Sequence, residues 1–162
     1  MLLRRVFVWV LCSLLAGPFG SAFASEEQGF EDVAGSWSGT GSMKPSDGPS
    51  ERVKCKVDYV AKNALSMKLD LRCASDAYKM NLSANLEQDG SAISGNWFES
   101  EYRQGGKIVG QNVNGLIEAR IEGNTVAALL TVRTKGGRQS FVMEAPGAWV
   151  SQVSIDLLRD KR

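Results

Sequence analysis

The sequence predicts an all-β protein: an antiparallel meander of about eight to nine strands rolled into a closed or nearly closed barrel, with a β-sandwich as the alternative. Three observations carry this expectation. Successive segments alternate apolar and polar side chains with a period of two, turn dipeptides recur between them, and no amphipathic stretch of helical length stands out. Short antiparallel strands in such number must close or fold into two sheets, because open edges would aggregate.

Taken in order, the chain opens with Met1-Leu2-Leu3-Arg4-Arg5, an apolar run from Val6 to Ala16, Gly17-Pro18 and then Ala22-Phe23-Ala24. A basic start, an apolar run too short to span a bilayer and small residues ahead of a cleavage point predict a signal peptide over 1–24. Residues 25–33 (SEEQGFEDV) carry four carboxylates and read as a flexible acidic leader. The single barrel domain is then expected over 34–160, with no transmembrane span left after cleavage.

The first strand is expected at 35–43. The second, 52–60, sets Val53, Cys55, Val57 and Tyr59 against Arg52, Lys54, Lys56 and Asp58; the third, 64–73, sets Leu65, Met67, Leu69, Leu71 and Cys73 inward. The fourth turns Tyr78, Met80, Leu82, Ala84 and Leu86 inward. Later strands are expected at 91–102, 106–121, 125–134, 138–144 and 149–159. Their inward candidates include Ile93 and Trp97, then Val109, Val113 and Ile117, then Phe141 and Met143, then Trp149, Val153, Ile155 and Leu157. Turns are expected at Lys62-Asn63, Ser75-Asp76, Asp89-Gly90, Gly105-Gly106, Gly123-Asn124, Gly136-Gly137 and Pro146-Gly147.

Composition excludes several chemistries. The 162 residues contain no histidine, so this chain alone supplies neither a Ser-His-Asp or Cys-His nucleophile nor an imidazole ligand for zinc. Lys and Arg number 19 against 18 Asp and Glu; loss of Arg4 and Arg5 with the signal peptide brings the formal charge to −1. A near-neutral protein has no global field to attract nucleic acid. No cofactor is expected and no metal site.

Cleavage would also remove Cys12, leaving Cys55 and Cys73 in an oxidising compartment, where they are expected to pair. Both lie on inward positions of neighbouring strands. Placing them opposite each other demands a turn centred on Ala64, longer or bulged relative to a two-residue Lys62-Asn63 turn. An irregular connection is therefore expected around residues 60–66.

Gly35-Ser36-Trp37 at the start of the first strand resembles the G-x-W of lipocalins and their calycin relatives, and Arg159 matches the position of the arginine that packs on that tryptophan. The run from Glu51 to Asp76, together with Ser94-Gly95-Asn96-Trp97, also resembles a family of small exported bacterial proteins without an established activity. The first resemblance implies a barrel whose opening strand is locked by Trp37 and Arg159. The second implies export and carries over no catalytic role.

Candidate site residues are few. Glu99 and Glu101, two apart on one expected strand, would share a face at about 7 Å, with Arg103 following on the same parity. They read either as a polar patch in a pocket beside Trp97 or as a strand end with paired charges. Lys54, Lys56, Lys68, Arg72 and Lys79, with Arg52 and Lys62 nearby, form an outward basic stripe able to meet an anionic envelope glycan or lipid; the alternative is a solvated face whose lysines keep edges from pairing. Trp37, Trp97 and Trp149 read as core plugs. The expected protein is thus a non-enzymatic, periplasmic or secreted binding protein of the bacterial envelope, its partner a glycan, a lipid or another protein. A lipocalin-like carrier of a small apolar ligand and an inhibitor of a foreign protease or lysozyme are the alternatives.

Overall fold

A computed structural model describes residues 29–161. The expected signal peptide and the first part of the expected leader lie outside the described residues. Ten strands make one antiparallel meander: β1 (Gly35–Pro45), β2 (Glu51–Asn63), β3 (Ser66–Ala74), β4 (Lys79–Asp89), β5 (Ala92–Glu99), β6 (Gln104–Val113), β7 (Leu116–Gly123), β8 (Ala127–Lys135), β9 (Arg138–Glu144) and β10 (Val150–Arg159). Each strand pairs with its sequence neighbours, and β10 pairs with β1, so the sheet is a closed barrel.

The tenth strand comes from the expected long segment 106–121, which divides at Asn114-Gly115. Both residues take positive φ, 52° and 77°, as a two-residue hairpin turn of the primed type requires. Val113 opposes Leu116 across it. A two-residue turn changes which parity faces inward, so Ile117 is buried as expected while Val109 and Val113 lie on the outside, each 47% exposed. Ile108 and Asn112 take the inward places. Gly105-Gly106, expected as a turn, is instead strand: both glycines lie in β6 opposite Phe98 and Trp97. A Cβ at Gly106 would stand 1.7 Å from the Glu122 carbonyl oxygen, which marks a close backbone approach within the strand.

The expected pairing of β2 with β3 is present. Cys55 opposes Cys73, and the register shifts between Ala61 and Asn63, inside the segment expected to be irregular. The two sulfurs form a disulfide, with the α-carbons 4.1 Å apart and both side chains facing the interior.

The two ends of the barrel differ. Two-residue connections at 64–65, 90–91, 114–115 and 136–137 all lie at the end where β1 begins, whereas connections of three to five residues lie at the other. The tight end is plugged. Phe30–Asp32 forms a 3-10 turn there, with Phe30 only 1% exposed and Val33 buried beside it. This corrects the expectation of a flexible leader as far as residue 33: two apolar side chains among the acids are enough to anchor the segment in the barrel, and the Phe30 amide donates to the Ala64 carbonyl. Trp37, 0% exposed, packs beneath the plug and its indole N–H donates to the Val33 carbonyl at 2.8 Å. Arg159 stacks on the Trp37 ring at 4.2 Å and donates to the Asp32 and Ala34 carbonyls. Among the buried polar groups at this end, the Tyr59 hydroxyl donates to Gln139 at 2.8 Å and the Asn112 side-chain amide donates to Gln88 at 3.1 Å. Burial pushes the Tyr59 phenol far up, so it stays a neutral donor.

Candidate functional site

With one end sealed, access to the interior is through the end that carries the longer connections. An apolar cavity of about 90 Å³ opens there, lined by side chains that include Met43, Val53, Met80, Val126 and Met143. A second apolar void of about 60 Å³ lies deeper. One layer of side chains, Met80, Leu82, Trp97, Ile121, Met143 and Val153, borders both. Neither volume approaches the roughly 300–1,000 Å³ of a drug-sized pocket. Met80 and Met143, the unbranched and readily repacked side chains of that layer, stand between the two voids.

Three aromatic side chains stand at the rim. Tyr102 and Trp149 lie with ring centroids 4.7 Å apart, and Tyr78 with Trp149 at 5.6 Å, both pairs tilted. Tyr102, 41% exposed, belongs to the β5–β6 loop, and Trp149 to the β9–β10 loop. The inward reading of Trp149 is therefore met only in part, since it lines the opening rather than the core. The Tyr102 phenol is held above its ordinary value, first by partial burial and then by the nearby Glu99, Tyr78 and Glu101. It is neutral across the physiological range and offers a hydroxyl at the rim.

Glu99, 5% exposed, is the buried carboxylate of the site. One oxygen accepts from the backbone amides of Asn81 at 2.8 Å and Glu101 at 3.1 Å; the other accepts from the Tyr102 amide at 2.7 Å. Those bonds fold the β5–β6 loop over the mouth and leave the carboxylate committed to backbone donors. Glu101 is not on its face, because β5 ends at Glu99 and the chain turns: Glu101 is exposed and accepts from the Asn81 side-chain amide at 2.6 Å. Arg103 occupies the loop with φ 54° and is exposed. The expected Glu99–Glu101–Arg103 cluster thus does not form, and of the three only Glu99 lines the cavity. Glu99→Ala would leave three amides without their acceptor and is expected to cost about 2 kcal/mol. Thermal unfolding monitored by Tyr and Trp fluorescence checks it, and an unchanged midpoint would remove Glu99 as the organiser of the rim.

Trp97 lies in the layer between the two voids and donates its indole N–H to the Glu122 carbonyl at 3.2 Å. The basic candidates are elsewhere. Lys54, Lys56 and Arg72 are exposed on the outer wall, and Lys68 pairs with Asp70 at 2.9 Å. Tyr102 is the rim residue that sequence reasoning does not single out.

An antiparallel barrel closed β10 to β1, plugged under a stacked tryptophan and arginine and open at the opposite end, is a lipocalin-like fold of the calycin type. No family model matches the chain, and comparison with curated proteins gives no match. Among solved structures it is similar to Rv2717c from M. tuberculosis, at TM-score 0.65 and 15% identity over 82% of this chain and 95% of that one. It is also similar to the S-type phycobiliprotein lyase CPES from Guillardia theta, at TM-score 0.56 and 16% identity over 82% and 91% of the two chains. At these identities the likeness is one of fold.

Proposed function

We propose that this protein binds a small apolar or amphipathic molecule through the open end of its barrel, without catalysing a reaction, and that it works outside the cytoplasm in the periplasm or as a secreted protein. The observation that carries the reading is the apolar cavity behind three rim aromatics, backed by a second void across a methionine-containing layer. On this support we rank the carrier ahead of a macromolecule held on the surface, the reading that the sequence favoured. A volume of about 90 Å³ suits one ring or a short chain segment, and longer chains require the methionines to move. A disulfide between Cys55 and Cys73 suits an oxidising compartment, and the pattern of residues 1–24 suits export. The non-enzymatic reading is supported by the engagement of Glu99 with backbone amides and by a sequence without histidine.

Titration with fluorescent fatty acids of increasing chain length tests the reading. Saturable binding with quenching of Trp149 is expected, weakened at least tenfold by Val126→Trp, which fills the opening; tenfold corresponds to about 1.4 kcal/mol. Trp149→Ala is expected to weaken binding several-fold through loss of aromatic contact. Absence of saturable binding, with no lipid carried by the native protein in mass spectrometry, would overturn the proposal.

A further inference from the structure

Five cations, Arg52, Lys54, Lys56, Arg72 and Lys79, stand on the outer faces of β2, β3 and β4. Pairing sets them in adjoining rows: Lys54 opposes Ala74, which opposes Lys79, and Lys56 directly opposes Arg72. With strands about 4.8 Å apart and alternate residues about 6.8 Å apart along each, the five fall within a field of roughly 10 by 14 Å. Towards the plugged end the field stops at Asp58 and Asp70, which face each other. Lys68, beyond them, is paired with Asp70, and none of the five has a carboxylate within ion-pair distance among the described residues. On β1 the same rows continue as Ser38, Thr40 and Ser42, which add hydroxyls and no charge.

Like charges set opposite each other weaken a sheet, so the Lys56 and Arg72 pair works against folding. Lysines on strands commonly guard an open edge, but β2, β3 and β4 are paired on both sides in a closed barrel and have no edge to guard. The field also reaches the opening. Lys79 lines the apolar mouth, and Tyr102 and Trp149 are exposed on the same rim. A basic face joined to a rim of partly exposed aromatics has the composition that suits a lipid headgroup layer, where cations meet phosphate and amphipathic rings sit between water and hydrocarbon.

We propose that the outer face of β2, β3 and β4 docks on an anionic lipid surface, with the aromatic rim turned into the headgroup region so that an apolar group passes from the surface into the mouth. The second half of this rests on the binding reading above, whereas the docking step stands on the charged face.

Co-sedimentation with vesicles of phosphatidylglycerol and phosphatidylcholine, compared with phosphatidylcholine alone, tests it. The full-length mature protein is expected to bind the anionic vesicles, with binding falling steeply as salt is raised. Each cation near such a surface contributes about fivefold, so Lys54→Gln/Lys56→Gln/Arg72→Gln is expected to lower partitioning by about 100-fold. Arg133→Gln/Lys135→Gln/Arg138→Gln, on the opposite wall, is expected to leave it within a few-fold. The first triple variant is also expected to retain solution binding of the fluorescent fatty acids, which separates failure of docking from failure of the mouth. Equal binding to both vesicle types, an equal loss in the two triple variants, or capture by a soluble acidic polysaccharide without capture by vesicles would each overturn the proposal.

Discussion

Trp37→Ala is expected to destabilise the barrel by about 4 kcal/mol, the range for truncating a fully buried aromatic. The side chain has no exposed surface and carries three relationships at once: it belongs to the same buried cluster as Phe30, its indole N–H holds the Val33 carbonyl, and its face supports the Arg159 guanidinium. Removing it deprives the plug of its floor and Arg159 of its stacking surface. Urea denaturation followed by circular dichroism measures the loss. Trp37→Phe retains much of the packing and is expected to cost about half as much, while Arg159→Lys loses the planar fork that reaches both the Asp32 and Ala34 carbonyls. If Trp37→Ala unfolds within about 0.5 kcal/mol of the parent, a change of the size seen at indifferent surface sites, the plugged end is not what holds the barrel shut.

The second large effect is expected at the sulfur pair. Breaking a cross-link between residues 18 apart releases loop entropy worth about 3 kcal/mol in the unfolded chain, by the chain-entropy model. Cys55→Ala/Cys73→Ala, or the parent in reductant, is therefore expected to melt well below the oxidised protein. Both side chains are buried, so neither sulfur of the reduced form should react with a thiol reagent until the protein unfolds. A melting temperature indifferent to reductant would show that the register of β2 and β3 needs no covalent clamp. Cys73 also lines the mouth, so the same comparison made on fatty-acid binding reports how far the clamp shapes the opening.

Much of this architecture is legible in the residues. Through Val53–Tyr59 and Met67–Leu86 the alternation is clean because each strand has one wet and one dry face, and the opposed cysteines fix a register that the bulge before Asn63 then satisfies; Leu65, expected inward, lies in the intervening turn and is 40% exposed. Legibility fails where a short-range signal competes with an apparent longer period. Val109, Val113 and Ile117 look like one continuous strand, yet Asn114-Gly115 folds the chain back on itself and exposes the first two. Phe30 and Val33 are hidden by the acids around them, since composition averaged over nine residues outweighs two anchors. The mouth is the least legible feature. Tyr102 and Trp149 sit in loops without periodicity, 47 residues apart in the chain, and they meet only because closure of the barrel brings the β5–β6 and β9–β10 connections over the same opening. Glu99 and Glu101 read as neighbours on one face because no Gly, Pro, Asn or Asp announces the end of β5; only Ser100, a weaker turn former, follows Glu99.

Closure has a kinetic side. The seam between β1 and β10 joins segments as far apart as Ser38 and Asp160, which are hydrogen-bonded across 122 intervening steps of chain, whereas every other ladder joins immediate neighbours. The hairpins can therefore form early, and the last event is the meeting of the two termini of the meander, at the highest contact order the molecule contains. Until then two unpaired strands face solvent, the state most prone to association with other chains. Renaturation of this protein should accordingly be slow and sensitive to its own concentration, with yield decided by how soon Arg159 reaches Trp37.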